Sequence, residues 1–183
     1  MKNLKTLALT TLTLAATIVA PIAKAGTYDH ADLDAHYDLL RTVERTGVAV
    51  FINDEYCATG DFDGMYTSQG GGLLICQDNA KVYNGRQVTW TANDLDTIRH
   101  EVHHLIQDCS AGGRGNGRLD TVYGEPERLA DEILGVQRKN AIKSSYASNG
   151  ANAHTLQLEI EAFSVAADVT VEIITSDLKN YCL

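Results

Sequence analysis

The stretch from Trp90 to Cys109, WTANDLDTIRHEVHHLIQDC, constrains this chain more than any other. Leu95, Ile98, Val102, Leu105 and Ile106 recur at helical spacing, so the segment reads as a helix over about Asp94–Asp108 with one face on a core. Thr91 and Asp94 are spaced for a capping box, with Asn93 as a competing cap, and Asp94 and Asp96 suit the positive end of the helix dipole. After Cys109 the run Ser-Ala-Gly-Gly-Arg-Gly-Asn-Gly stops any helix.

That helix carries His100-Glu101-Val102-His103-His104, an HExxH motif. Residues four apart lie on one helical face, so His100 and His104 can offer two imidazole nitrogens to one metal ion. Glu101 lies beside that face, placed to hold a water and take its proton, which is the zinc-hydrolase arrangement. With 6 His in 183 residues, an accidental match is expected on the order of 0.01 times per chain, which favours a metal site over a surface cluster. His103 matches no motif position and reads as a partly exposed residue or a group behind the ligands. Gln107 or Asp108 is placed to orient a ligand imidazole.

The first 25 residues form a separate unit. Lys2 and Lys5 precede an apolar, threonine-rich run from Leu7 to Ala20, then Pro21 and the small-x-small pattern Ala23-Lys24-Ala25. This reads as a cleaved signal peptide, the run being too short and threonine-rich for a good membrane span. Residues 26–183 then form one domain of ordinary size. Loss of Lys2, Lys5 and Lys24 takes the formal charge from −9 to −12. So acidic a chain is repelled by phosphate backbones and anionic bilayers, so neither nucleic acid nor, after cleavage, a membrane is an expected partner. Secretion or a periplasmic location is expected.

Cys57, Cys76, Cys109 and Cys182 all lie in the mature region, and an even count in an exported chain suggests two disulfides. Of the three pairings, Cys57–Cys76 with Cys109–Cys182 is favoured, because Cys57 and Cys76 flank a turn-rich segment able to fold back. No CxxC spacing supports a cysteine zinc site.

The remaining elements suggest an α+β fold, a small sheet on helices. Residues 32–46 read as a helix ending at Gly47; 47–52 as a buried strand; 65–67 as a short strand; 72–76 as a second strand; 82–91 as a connector with some strand character. Residues 125–146 read as one helix with Pro126 in its first turn, and 152–178 as another. Asp61-Phe62-Asp63-Gly64 lacks the remaining ligands of a calcium loop and reads as a turn. The glycine-rich run at 112–117 lacks a P-loop lysine and reads as a loop. His154, Tyr123 and Tyr146 are possible hydrogen-bond donors to a reacting oxyanion but have no fixed spacing to the motif.

A catalytic zinc site needs a third protein ligand and an open position. An extended motif with a third histidine is excluded, because position 107 is Gln and 111 is Ala. The later helix offers Glu159-Ile160-Glu161-Ala162, with Ala166 four positions on. With this pattern the chain resembles the gluzincin zinc metallopeptidases in a compact, single-domain form. The resemblance implies a zincin-like domain over 26–183, its HExxH helix and a Glu-bearing helix facing each other across a cleft. It implies one Zn²⁺ held by His100, His104 and Glu159, with Glu161 the competing third ligand and Glu101 the catalytic base. The expected activity is hydrolysis of peptide bonds in a peptide or protein, including the cross-linking peptide of a cell wall. It also implies an edge strand that pairs with an extended substrate, for which Leu73 to Cys76 is the candidate. The alternative is an exported binding or interaction domain with a structural or vestigial metal site.

Overall fold

The computed structural model describes residues 30–183; the leader expected over 1–25 lies outside the described residues. Over these residues the fold is α+β, six α-helices around a three-stranded mixed sheet. Helix α1 spans His30–Arg45, and Gly47 ends it in the left-handed conformation expected of a residue following a helix, at φ +84°. Leu39, Leu40 and Val43 form its buried stripe.

Strands β1 (Ala49–Ile52), β2 (Gly64–Thr67) and β3 (Gly72–Ile75) assemble in the order β1-β3-β2. β3 runs parallel to β1, with Phe51 opposite Leu74, and antiparallel to β2, with Met65 opposite Leu74. The central strand is therefore β3, and Leu73, Leu74 and Ile75 are all buried. β1 is not the buried strand that its apolar run suggests. It is an edge whose residues alternate exposed and half-buried, Phe51 at 46 % exposure, because only the Val50 and Ile52 side packs on the core. Residues 82–91 form no strand.

The first disulfide joins Cys57, in a short 3-10 turn at Glu55–Ala58, to Cys76 at the end of β3. It packs with Met65, Leu74, Phe62 and Tyr83 in a small apolar cluster.

Helix α2 (Ala92–Ser110) is the centre of the molecule. Its capping box is formed: Asp94 N–H donates to Thr91 Oγ1 at 3.1 Å, and Thr91 N–H to Asp94 Oδ2 at 2.8 Å. Every residue from His100 to Asp108 is buried. A helix polar on one face yet buried all round must find internal partners for its polar groups, and this requirement builds the site.

The single helix expected over 125–146 is two, α3 (Pro126–Ile133) and α4 (Gly135–Ser148). Gly135 adopts φ +76° at the junction, a conformation that costs glycine little and breaks the helix direction. The run expected over 152–178 is also divided, into α5 (Ala153–Asp168) and α6 (Val171–Cys182). Val169 and Thr170 are extended there, at ψ 130° and 153°. The break lets Val171, Ile174 and Leu178 turn into the core formed with α1 and α2. The second disulfide, Cys109–Cys182, ties the end of α2 to the end of α6. Both pairs are those favoured from the sequence. Among the described residues, no helix is long and apolar enough to cross a membrane.

Candidate metal centre

His100 and His104 project from α2 towards α5, where Glu159 meets them. One ligand atom from each lies within 4.8 Å of the others. The Nε2 atoms of the two histidines are 3.1 Å apart. Glu159 Oε2 is 3.3 Å from His100 Nε2, and its Oε1 is 3.6 Å from His104 Nε2. The two rings stand at 86°, and Phe163 packs on His100 with centroids 4.4 Å apart. All three residues are at most 1 % exposed. Of the two carboxylates weighed as a third ligand, Glu159 is the one beside the histidines. Glu161 points elsewhere, as two-residue spacing on a helix requires.

The donor set suits a cation. Both carboxylate oxygens of Glu159 are buried without a hydrogen-bond partner, as is Nδ1 of His100. Nδ1–H of His104 donates to Gln107 Oε1 at 2.7 Å, which leaves Nε2 turned towards Glu159 and His100. Converging acceptors in a dry interior are costly unless a positive charge lies between them. Burial pushes the Glu159 carboxyl up, but His104 and His100 overcome it and hold the group down at about 2. Burial likewise works against a charged His104, yet Glu159 and Glu101 pull its pKa up to about 9. The cluster thus demands one positive charge, met by a proton or by a metal in its place. Two imidazoles and a carboxylate are a known ligand set for zinc.

Glu101 is wholly buried beside this trio, and neither of its oxygens has a partner. Burial, helped by the charge of Glu159, pushes its carboxyl up to about 8 although His104 opposes the shift. Its neighbour is β2. A Cβ on Gly64 would lie 2.8 Å from Glu101 Cγ and 2.5 Å from Thr97 Cγ2, so only glycine allows the strand this close. The strand expected to pair with substrate, Leu73 to Cys76, cannot serve, because β3 is bonded on both sides. The edge beside Glu101 is β2. Cys76 N–H donates to Asp63 O at 2.8 Å, which fixes the alternation. Met65 and Thr67 bond to β3, while the backbone groups of Gly64 and Tyr66 turn away from it.

Tyr146 of α4 is the residue that sequence reasoning left unassigned and the fold brings near. Its hydroxyl is buried without a partner. Burial raises its pKa well above the usual value, and the charges of Glu159 and Glu101 add to the shift. Its ring meets Phe163 edge-on at 6.1 Å, against the same residue that packs on His100. No local spacing signals this; helix α4 reaches the site only because the chain turns at Gly135. The other two candidates are structural. His154 Nε2 bonds Leu119 O at 2.8 Å, and Tyr123 bonds Asp177 through its hydroxyl.

Behind the ligands, His103 is fully buried rather than partly exposed; its Nε2 lies 3.0 Å from Glu161 Oε2, and its ring stacks on Tyr123. Gln107 is the residue that orients an imidazole. Asp108 instead accepts from Tyr66 Oη at 2.6 Å and from Gly115 N–H at 3.2 Å, pinning the glycine-rich loop. In the Asp61–Gly64 turn, Asp63 accepts from Asn93 Nδ2 at 3.3 Å. Among the described residues, His100, His104 and Glu159 form the one group of three suited to a metal.

A family model described as "Domain of unknown function (DUF8637)" matches residues 18–183, so the chain belongs to that family. No curated protein and no solved structure matches it.

Proposed function

We propose that this member of the DUF8637 family is an exported zinc metallopeptidase of the gluzincin type, with His100, His104 and Glu159 as its ligands. The reading is carried by one observation: an HExxH pair meets a glutamate from a later helix, with a second buried glutamate beside them that has no partner. Zinc, when bound, supplies a Lewis acid that brings the pKa of water from 15.7 towards ~7 and polarises the scissile carbonyl. Glu101 accepts a proton from the attacking water and returns it to the departing amine. A carboxyl held high by burial is a stronger proton acceptor than a solvated one, which suits that task. Export is supported by the leader pattern and by the two disulfides.

Tyr146 donates its hydroxyl to the oxyanion that develops on the carbonyl. Tyr146→Phe keeps the ring against Phe163 and removes only that donor. It is expected to lower kcat by about 10²-fold or more with little change in KM, as loss of one oxyanion donor does. An unchanged kcat removes Tyr146 from the reaction.

Metal content of the purified mature protein, measured by elemental mass spectrometry, tests the ligands. One zinc per chain is expected, lost in both His100→Ala and Glu159→Ala. Zinc retained in Glu159→Ala overturns that assignment. A wild type that neither holds zinc nor takes it up points to a binding domain with a vestigial site; a binding domain with a structural zinc would hold the metal as the enzyme does. The burial of all three ligands favours that reading, since structural zinc sites are closed. Glu101 distinguishes the two, because a structural site has no use for it.

A further inference from the structure

We propose that Glu161 is a positioning residue: acting through Gln107, it keeps a proton on Nδ1 of His104 and so reserves Nε2 for the metal. Its importance for zinc rests on the function proposed above; the placement of the proton does not.

Every polar group around Glu161 is a donor. Val122 N–H lies 3.0 Å from both carboxylate oxygens, and Tyr123 N–H lies 2.8 Å from Oε1. His103 Nε2 and Gln107 Nε2 approach Oε2 at 3.0 and 2.8 Å. An ionised carboxylate only accepts, so it satisfies all four. That fixes the Gln107 amide, which would otherwise be free to present either end. Its nitrogen must face Glu161, and the same nitrogen donates to Leu158 O at 3.1 Å, a second acceptor on the same side. Its oxygen is thereby committed to His104 Nδ1 at 2.7 Å, and an oxygen there requires a proton on the ring nitrogen. The neutral ring then has its lone pair on Nε2, the atom that faces His100 and Glu159.

The polarity of the chain is set at its far end, by a group that cannot donate. Glu159 and Glu161, two residues apart on α5, thus take different tasks: one closes the ligand set and the other aligns an imidazole within it. The same carboxylate grips the backbone at 122–123, which ties this loop to the alignment of the site.

The experiment is nitrogen-15 NMR of the metal-free protein, taken above the pKa of about 9 that Glu159 and Glu101 give His104 so that the ring is neutral, reading its two nitrogens. In the wild type Nδ1 is expected to carry the proton. Glu161→Gln replaces one acceptor oxygen by an amide donor, so the Gln107 amide can turn over and the Nε2–H form of His104 appears. Gln107→Leu removes the accepting oxygen without disturbing the loop, and the same change is expected if Glu161→Gln fails to fold. Glu161→Gln combined with Gln107→Glu restores an acceptor facing His104 and should return the proton to Nδ1, which a merely structural role would not predict. Zinc affinity, measured by chelator competition, is expected to fall about 10- to 100-fold in each single variant. A wild-type His104 protonated on Nε2, or a proton that stays on Nδ1 in folded Gln107→Leu, overturns the proposal. A wild type that shows the expected proton but binds no zinc upholds the relay and refutes the metallopeptidase reading instead.

Discussion

Glu101→Gln is expected to lower peptide hydrolysis by about 10²- to 10⁴-fold while zinc stays at one per chain, the range associated with loss of a positioned acid–base group. The amide matches the carboxylate in size, and the glutamate side chain already occupies a fully buried space without a hydrogen-bond partner. Packing against Gly64 and Thr97 therefore survives, and the ligand atoms of His100, His104 and Glu159 are untouched. What disappears is proton affinity. Burial pushes the Glu101 carboxyl up, to about 8 in the metal-free site, and an amide has no comparable basicity. Steady-state kinetics beside elemental analysis separates the cases. Full activity with zinc bound removes Glu101 from the mechanism, whereas loss of zinc with loss of activity makes it a structural prop of the site.

The elements that hold this site were legible because their signals are local. α2 announces itself by a capping box at one end, glycines at the other and an apolar stripe between them. Two histidines four apart need only that helix to share a face. Glu159 was readable through the resemblance to the gluzincins, which rests on the glutamate followed by Ala162 and Ala166 on a second helix, and α2 and α5 do pack closely. The disulfides followed from chain order and a turn-rich segment.

What escaped depended on packing between distant parts of the chain. Apolar spacing continues through Val169 and Thr170 because both α5 and α6 bury residues. The break is imposed by where α6 must lie against α1 and α2, which no window across it contains. The run at 48–52 is equally compatible with a central or an edge strand. The order β1-β3-β2 decides, and it makes β2 rather than β3 the edge beside Glu101. His103 reads either as partly exposed or as a group behind the ligands, and the choice rests on Glu161, a partner 58 positions away. Tyr146 enters the site only after a turn at Gly135 that a lone glycine barely signals.

Cys109→Ala with Cys182→Ala is expected to cost about 4 kcal/mol of stability in denaturant unfolding, and Cys57→Ala with Cys76→Ala about 3 kcal/mol, if each bridge acts mainly by restricting the unfolded chain. The difference follows from separations of 73 and 19 residues, since the entropy of a closed loop grows with its length. Against the usual 5–15 kcal/mol of a domain, the larger loss is severe. Its location matters as much as its size. Cys109 is five residues beyond His104 and directly follows Asp108, so the bridge holds the end of α2 where the ligands and the loop at 112–117 are anchored. Zinc that binds only the folded protein would add about 2.7 kcal/mol at a free concentration 100 times Kd, recovering much of the deficit. The unfolding midpoint of the Cys109–Cys182 variant should therefore rise on zinc addition. A loss smaller than that of the Cys57–Cys76 variant contradicts the loop-entropy account. A midpoint indifferent to zinc, in a variant that still folds, means that the histidines at the core of α2 hold no ion.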